Sequence, residues 1–461
     1  MIDGFGTIMA NAKKEKYNIY ANDTRRRKKN YLPPDLVIKR GEIREKAGKW
    51  LLLMLALTVI EAALDLSVFS GMEDGQVGKV ALMFAGYLAV QWLYFVAAAV
   101  ILHHRMELEM AGFLLSSVSL AITASVYPDR LLTQLAATVG GIGVFAFLVW
   151  FMGSVNRVTY SRMPVGVAAV GLLALTLALA QYNNGAKNWL FIGGLSIQPS
   201  EIVKVAFVFV GAATLDKIQN TRSIAKYVVF SLVCVGLLFL MLDFGTALIF
   251  FATFLIIAFL RSGDVKTIVL ICTAALLGGI FIILYKPYVA NRFSTYRHIW
   301  EAAHIDDRGF QQTRTIIYAL SGGLFGVGLG NGRLRNVFAA TEDLAFGVVC
   351  EELGMLTAAA ILICYVLLLV HAIRSARYAR SSFYAIAACS AAGLMLFQAA
   401  LHVFGITDIL PLTGVTLPFI SRGGSSMLCS WGLLAFLKAV DIRTYPKVMR
   451  ELYQQKERTD A

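Results

Sequence analysis

The amino-acid sequence predicts an all-α polytopic membrane protein, a single helical bundle of about twelve transmembrane helices with one long extracellular loop. Of the 461 residues, 58% are apolar and only 15% are charged, whereas an average soluble domain has roughly half and roughly a quarter. The apolar residues also form long uninterrupted runs, which are typical of membrane spans. These observations exclude an ordinary globular protein.

Twelve apolar runs account for the predicted helices. Runs of ~17 to 25 mostly apolar residues are long enough to cross a bilayer as helices. In chain order they cover residues 50–70, 80–102, 110–127, 131–152, 164–182, 199–215, 227–242, 244–260, 267–285, 345–371, 383–403 and 417–440. Only one connection between them, residues 286–344, is long.

The net charge of +13 raises the alternative of a nucleic-acid partner, but its distribution favours a membrane surface. Residues 1–49 contain 13 lysines and arginines against 6 aspartates and glutamates, with the densest run from Arg25 to Lys29. A basic cluster beside a membrane span is attracted by an anionic leaflet. We therefore expect a lipid bilayer, and no nucleic acid, as the partner of this tail.

The positive-inside rule predicts the orientation of the bundle. With the N-terminus in the cytoplasm, the inside segments hold 29 lysines and arginines and the outside segments hold 11. Both termini are then cytoplasmic, and the long loop 286–344 lies outside. A long connection without regular pattern is usually functional, so this loop is the first place to look for chemistry.

Charged residues inside the predicted spans are costly and are functional candidates by default. Glu201 and Lys204 are three residues apart and share a helix face; they form either a pair that only orients helices or a polar floor beneath a site. Asp243 lies between two spans, where a structural turn is an equal alternative. Glu61 and Asp65 also share a face, and an internal polar contact is the favoured interpretation.

The long loop combines arginines with paired carboxylates. Arginine binds phosphate and pyrophosphate in a bidentate manner, and a nearby carboxylate can take a proton from a hydroxyl group. A solvated run of charges is the alternative. The candidates are Arg292, Arg297, Glu301, His304, Asp306, Asp307, Arg308, Gln311 and Arg314.

Polar residues also precede the last predicted spans. Four acids stand near the start of span 345–371, where capping of a helix and catalysis are equally good interpretations: Glu342, Asp343, Glu351 and Glu352. The last span begins with an irregular polar stretch that includes Ser421, Gly423 and Gly424. Such a stretch is tolerated at membrane depth where it lines a cavity or is buried by protein.

Five segments in order resemble the SEDS family of RodA, FtsW and SpoVE. The matching residues are Gln198-Pro199-Ser200-Glu201 with Lys204, Asp243-Phe244-Gly245-Thr246, Gly309-Phe310-Gln311, Glu351-Glu352-Leu353-Gly354, and Leu417-Pro418-Phe419-Ile420-Ser421 with Gly423-Gly424-Ser425-Ser426. The resemblance implies a core over residues 183–440, preceded by five helices (50–182) of which two are additional to the family, and flanked by cytoplasmic tails at 1–49 and 441–461.

The resemblance further implies a bacterial peptidoglycan glycosyltransferase of the cytoplasmic membrane. Such enzymes polymerise lipid II into glycan strands beside a class B penicillin-binding protein, which supplies the transpeptidase. The family's essential aspartate falls on Asp306 or Asp307, and its buried pair on Glu201 and Lys204, with Asp243 as a further pocket residue. Arg292, Arg297, Arg308, Gln311, Ser421, Gly423 and Gly424 are then the candidate substrate-binding residues.

The sequence shows no metal-ligand spacing, and its six cysteines lie in or beside apolar runs without a CxxC pair. No cofactor is expected with certainty, and a divalent cation, Mg²⁺ or Mn²⁺, is an alternative to arginine as the partner of a pyrophosphate. Two other functions stay open: a transporter that flips lipid II, and a non-catalytic membrane scaffold of a division complex. The departure from the family at Arg422, where Tyr is usual, keeps the scaffold in view.

Overall fold

The structure is a computed structural model. It describes residues 40–72, 74–102, 106–182, 186–192, 195–214, 221–263, 265, 269, 271–273 and 295–441. Outside the described residues lie most of the basic tail, most of the predicted span 267–285, Arg292 in the first part of the long loop, and the C-terminal tail from residue 442.

Six helices and one hairpin form the first half of the described chain. The helices are α1 (Arg40–Phe69), α2 (Asp74–Leu102), α3 (Glu107–Val126), α4 (Leu131–Met152), α5 (Val155–Leu179) and α6 (Pro199–Thr214). Strands β1 (Leu190–Ile192) and β2 (Leu195–Ile197) pair antiparallel just before α6, with Leu190 opposite Ile197. Pro199 opens α6 at a position where its missing N–H costs no helical hydrogen bond.

Seven further helices follow. They are α7 (Thr221–Leu240), α8 (Phe244–Ser262), α9 (Phe310–Ser321), α10 (Ala345–Glu352), α11 (Gly354–Ala376), α12 (Ser382–Ile406) and α13 (Gly424–Val440). Eight helices of the described part are long and apolar enough to cross a membrane, and two shorter apolar helices accompany them. The protein is therefore an all-α, multi-pass membrane protein, as predicted. The count of about twelve spans stays a prediction, because span 267–285 lies mostly outside the described residues.

The structure interrupts two predicted spans. The predicted span 345–371 consists of two helices, α10 and α11, which meet at Leu353 and Gly354. Gly354 has φ +85°, and a Cβ there would lie 2.5 Å from Gly326 N, so the break needs glycine. The predicted span 417–440 becomes helical only at Gly424, and the preceding residues form the non-helical chain described below.

The last helix, α13, lies at the centre of the bundle. Its Trp431 is fully buried and makes edge-on ring contacts with Phe113 of α3, Phe145 of α4 and Phe419. A Cβ on Gly141 of α4 would lie 2.7 Å from the Trp431 ring. Small residues let membrane helices approach closely, and this contact fixes α13 against α3 and α4.

Candidate active site

The chain between α12 and α13 is a non-helical segment whose second half is largely buried, while Thr407, Ile409 and Gly414 are exposed. Its residues 417–421 are buried. Tyr365 of α11 donates a hydrogen bond to the Pro418 carbonyl at 2.5 Å, and the Phe419 N–H donates to Ser430 Oγ at 3.1 Å. Backbone groups of such a segment must be satisfied by the surrounding protein at membrane depth, and here side chains of α11 and α13 do this. Residues 407–423 are called the chain break below.

A chain of buried polar side chains reaches the chain break from α6. Lys204 Nζ lies 2.7 Å from Glu201 Oε2 and donates a hydrogen bond to Gln398 Oε1 of α12 at 2.9 Å. The Gln398 amide in turn donates to the Thr416 carbonyl at 2.7 Å, and Thr416 Oγ1 lies 2.9 Å from Ser426 Oγ. Glu201 and Lys204 are 4% and 2% exposed. The predicted pair is thus part of a larger network, which we call the polar floor (Glu201, Lys204, Gln398, Thr416 and Ser426).

Asp243 caps α8 and also binds Asn188 and Gln198, which precede α6. Its Oδ1 accepts from the Thr246 N–H at 3.3 Å, which is an N-cap bond. Its Oδ2 accepts from Asn188 at 3.0 Å and from the Gln198 amide at 3.4 Å. The Gln198 backbone N–H donates to Ser425 Oγ at the start of α13. Both interpretations of Asp243, a structural turn and a pocket residue, are therefore compatible with its contacts.

His402 of α12 links the chain break to α10, and sequence reasoning missed it. Its Nδ1 lies 2.8 Å from the Val415 carbonyl, and its Nε2 lies 3.3 Å from the Phe346 N–H. A carbonyl only accepts and a backbone N–H only donates, so the ring must be neutral with its proton on Nδ1. An imidazole and an amide in the apolar span 383–403 are the signals that point to His402 and Gln398.

The carboxylates before α11 hold the glycine-rich part of the long loop. Glu351 accepts hydrogen bonds from the backbone N–H groups of Arg333, at 2.7 Å, and Leu334, at 2.9 Å. Glu352 accepts from Ser125 of α3. Both carboxylates are almost fully buried. Of the two interpretations of these acids, their contacts favour the holding of local structure over catalysis.

Residues 421–424 are tied to neighbouring segments. Ser421 is 1% exposed, accepts from the Leu417 N–H at 2.8 Å and donates to the Glu342 carbonyl at 2.6 Å. The Gly423 N–H donates to Gln134 of α4 at 3.1 Å, and Gly424 is the first residue of α13. Substrate binding by Ser421, Gly423 and Gly424 stays a prediction, while their contacts hold the chain break in place.

Arg422, the departure from the family pattern, forms an ion pair with Glu342. Its Nε also donates to Thr341 Oγ1 at 3.1 Å, and its guanidinium carbon lies 4.9 Å from the centre of the Tyr127 ring. The backbone N–H of Arg422 donates to the Thr341 carbonyl at 2.7 Å. Arg422 therefore joins the end of the chain break to residues 341–342 of the long loop.

The predicted catalytic aspartates lie on the exposed side of the long loop. The side chains of Asp306 and Asp307 are 78% and 77% exposed. Asp306 accepts a hydrogen bond from Arg314 of α9 at 3.1 Å, whereas the nearest cation to Asp307 is Arg308 at 4.0 Å. Asp307 is therefore the less constrained of the two carboxylates.

Arg297 connects this loop to the chain break, whereas Gln311 binds within the loop. The Arg297 N–H donates to Asp408 at 3.3 Å, and Tyr296 donates to the Ile409 carbonyl at 2.8 Å. Gln311 donates to the Phe338 carbonyl at 3.0 Å. The structure thus links Glu201 and Lys204 to the chain break through Gln398, and it ties Asp243 through Gln198 to Ser425 at the start of α13. The loop with Arg297 docks at the α12 end of the chain break, while Arg292 lies outside the described residues.

The described residues contain no group of three or more histidine, cysteine, aspartate or glutamate side chains that could hold a metal ion. A divalent cation therefore has no ready set of ligands in the described part of the chain.

The family model for the FtsW, RodA and SpoVE cell cycle proteins matches residues 78–445. This chain belongs to that family. The match begins inside α2, so α1 and the basic tail precede it. The expected division into two additional helices and a core stays a prediction.

Two curated relatives of this SEDS protein show how far the similarity extends. Peptidoglycan glycosyltransferase RodA of Mycobacterium tuberculosis is 29% identical over 340 residues, which cover 68% of this chain and 72% of that protein. Stage V sporulation protein E of Bacillus subtilis is 30% identical over 308 residues, covering 64% of this chain and 83% of that protein.

A solved structure supports the fold. One chain of a peptidoglycan synthase complex, described as coordinating polymerization and crosslinking, has a TM-score of 0.62 and 24% identity. The superposition covers 76% of this SEDS protein and 99% of that chain. At this identity the likeness establishes the fold alone.

Proposed function

We propose that this SEDS protein is a peptidoglycan glycosyltransferase that polymerises lipid II into glycan strands at the outer face of the bacterial cytoplasmic membrane. The family match over residues 78–445 carries the proposal, because one relative is named for this activity and another for sporulation. The site geometry supports it, with a buried polar floor on one side of the chain break and exposed carboxylates on the loop that docks at its α12 end.

In the proposed reaction Asp307 is the general base, with Asp306 as the second candidate. The base removes the proton from the C4 hydroxyl group of the acceptor GlcNAc, whose oxygen attacks the anomeric carbon of a lipid-linked MurNAc with inversion. Asp307 suits this role because its carboxylate is exposed and its nearest cation, Arg308, is 4.0 Å away, whereas the Asp306 carboxylate is already hydrogen-bonded to Arg314. Arg308 and Arg297 are proposed to offset the charge of the departing undecaprenyl pyrophosphate.

Polymerisation of purified lipid II by the purified chain tests this function. Asp307→Ala should lower the rate by roughly 100-fold or more, and Asp306→Ala should have a smaller effect. Because both side chains are exposed, the variants should fold as the wild type does. Unchanged glycan synthesis by the double variant would refute the assignment of the base. Absence of glycan synthesis by the wild type would favour a scaffold, and lipid flipping without polymerisation would favour a transporter.

The orientation and the partner are proposed along with the activity. Cytoplasmic N- and C-termini place the long loop outside, where lipid II polymerisation takes place. A class B penicillin-binding protein is the proposed partner, and the likeness of the fold to a chain of a complex that couples polymerization to crosslinking supports it. Reporter fusions at each terminus and co-purification with the transpeptidase encoded by the same genome test the two statements separately.

A further inference from the structure

Asp343 is a carboxyl group with no role in the proposed transfer of the acceptor proton or in the polar floor. None of the hydrogen bonds or ion pairs of the described residues involves its side chain, whereas the adjacent Glu342 is paired with Arg422. Glu351 and Glu352, the next acids along the chain, hold backbone and hydroxyl groups. Asp343 is also only partly exposed. Its negative charge is therefore not fully solvated by water, and no cation of the described residues is paired with it.

The fold holds Asp343 against the chain break. A turn at Ala339, with φ +57°, carries the Asp343 N–H to the Ala339 carbonyl at 2.9 Å. Ser421 and Arg422 bind the backbone of residues 341 and 342 on one side. On the other side stands Gly414, with φ +66°, where a Cβ would lie 3.5 Å from Asp343 Oδ2. Asp343 therefore faces the chain break at Gly414, which is two residues before Thr416 of the polar floor.

The surroundings favour the neutral form of this carboxyl group. Burial raises the pKa of Asp343 from 3.8 to about 7. The charged and titratable groups on the adjoining segments are committed elsewhere: Glu342 to Arg422, and His402 to Val415 and Phe346. At neutral pH a substantial fraction of Asp343 therefore carries a proton that it can donate.

We propose that Asp343 is a second catalytic carboxyl group of this site, which donates its proton to the pyrophosphate of the lipid-linked donor as that group leaves. The inference rests on the proposed function and assigns the leaving-group side of the same reaction. A neutral acid binds an anionic phosphate oxygen by a hydrogen bond, whereas an ionised carboxylate would repel it.

The direction of the substrate separates the roles of Asp307 and Asp343. In a polyprenyl-linked saccharide the pyrophosphate joins the membrane-embedded chain to the sugars, so it lies nearest the bilayer and the sugars lie further out. Asp343 is partly exposed beside Gly414 of the chain break, and Asp307 is 77% exposed on the loop. The less exposed acid is thus placed for the phosphate and the exposed base for the sugar hydroxyl group.

Asp307 and Asp343 together account for the protons and electrons of the reaction. The acceptor oxygen forms a bond to the anomeric carbon and gives its proton to Asp307. The bond between the anomeric carbon and the phosphate oxygen breaks, and its electron pair stays on that oxygen, which receives the proton of Asp343. Exchange of protons with water returns both carboxyl groups to their starting states.

The test measures the rate of lipid II polymerisation against pH for the full chain in proteoliposomes. The wild-type rate should fall as the pH rises through about 7, because the donor is then ionised. Asp343→Ala should lower the rate by roughly 100-fold. Asp343→Asn, which keeps a hydrogen-bond donor but cannot transfer a proton, should be less impaired and should lose the alkaline decline. Fluorescence-detected gel filtration confirms folding of each variant.

Asp65→Asn is the matched control. Asp65 is also a buried carboxyl group without a described partner, but it lies on α1, before the family match. Its variant should keep the wild-type rate and pH profile. A rate that instead rises through pH 7 in the wild type, or an Asp343→Asn variant with the wild-type profile, would overturn the proposal.

A binding measurement separates this proposal from the proposed function. Undecaprenyl pyrophosphate should raise the thermal midpoint of the wild type, and Asp343→Ala should remove most of that increase. If the wild type makes no glycan but still shows this Asp343-dependent shift, the proposed function fails and the pyrophosphate site stands. If binding is equal in the two proteins, the inference about Asp343 fails whether or not glycan is made.

Discussion

Two buried acid–lysine pairs in this bundle have the same N···O distance and different surroundings. Glu201 and Lys204 lie 2.7 Å apart on α6, and Glu109 of α3 and Lys438 of α13 are also 2.7 Å apart. All four side chains are almost fully buried. The first pair continues through Gln398 to the chain break, whereas the second joins the first turn of α3 to the last turn of α13.

A buried charge in this bundle therefore does not by itself mark a functional site. A buried pair is weak support for stability or function, because desolvation offsets much of its attraction. What distinguishes Glu201–Lys204 is its connection to non-helical chain, which has backbone groups to hold in a fixed arrangement. Glu109 is bound by Lys438 and by Tyr94 of α2, and these contacts tie helices together.

The largest expected effect comes from removing one lysine. Lys204→Met and Lys438→Met each leave a buried carboxylate unpaired, and each should lower the free energy of unfolding by about 3–5 kcal/mol. Measured per folded molecule, polymerisation of lipid II should be lost in Lys204→Met and kept in Lys438→Met. Equal loss of specific activity in both variants would show that the two pairs have the same role in activity.

Exchange of the charges should separate the pairs further. In Glu109→Lys/Lys438→Glu the opposite charges are restored between the same two helices, so most of the lost stability should return. In Glu201→Lys/Lys204→Glu the charges are also restored, but a glutamate at 204 cannot donate to Gln398 Oε1. Thermal midpoints should recover in both double variants, and activity should fail to recover at Glu201–Lys204. Recovery of activity there would remove Gln398 from the proposed role.

Gln398→Leu isolates the connection between Lys204 and the chain break. It removes one hydrogen bond to a charged group and one to the Thr416 carbonyl, at a cost of about 1.5–3 kcal/mol for the charged one. We expect a lower thermal midpoint and reduced activity. Gln134→Leu of α4, which removes the bond to the Gly423 N–H, serves as a comparison, and an equally large activity loss would point to general loosening of the chain break.

The smallest effect is expected from Tyr94→Phe. The phenol donates to Glu109 Oε1 at 3.3 Å, and its loss should cost about 1 kcal/mol. Specific activity should be unchanged, since the Glu109–Lys438 pair stays in place. A change in activity larger than the change in thermal midpoint would indicate a connection from this end of the bundle to the site.

The fold could be predicted from the sequence where hydropathy alone decides it. Helix α4 begins and ends at the predicted residues, Leu131 and Met152, because an apolar run in a bilayer must close its own hydrogen bonds. The break at Leu353–Gly354 could not be predicted in this way. Its cause is a positive φ and a close backbone approach, to which a hydropathy window is insensitive.

The site was predictable only in its local parts. The spacing of Glu201 and Lys204 places both on one turn of a helix, and the ion pair follows. Gln398 lies 194 residues further along the chain from Lys204, and nothing in the local pattern couples the two. The lack of a bonding partner for the Asp343 side chain likewise depends on which groups its neighbours bind. Those contacts exist only in the folded chain.

The short helix α10 also has a consequence for the order in which the protein is assembled. The N–H of Phe346 is satisfied by His402 of α12, and the carbonyls of Glu351 and Glu352 accept from Val327 and Gly328. During synthesis residues 345–376 leave the ribosome before α12 does, so one of these partners is still missing. The Phe346 N–H therefore gains its hydrogen bond to His402 only after α12 has been inserted.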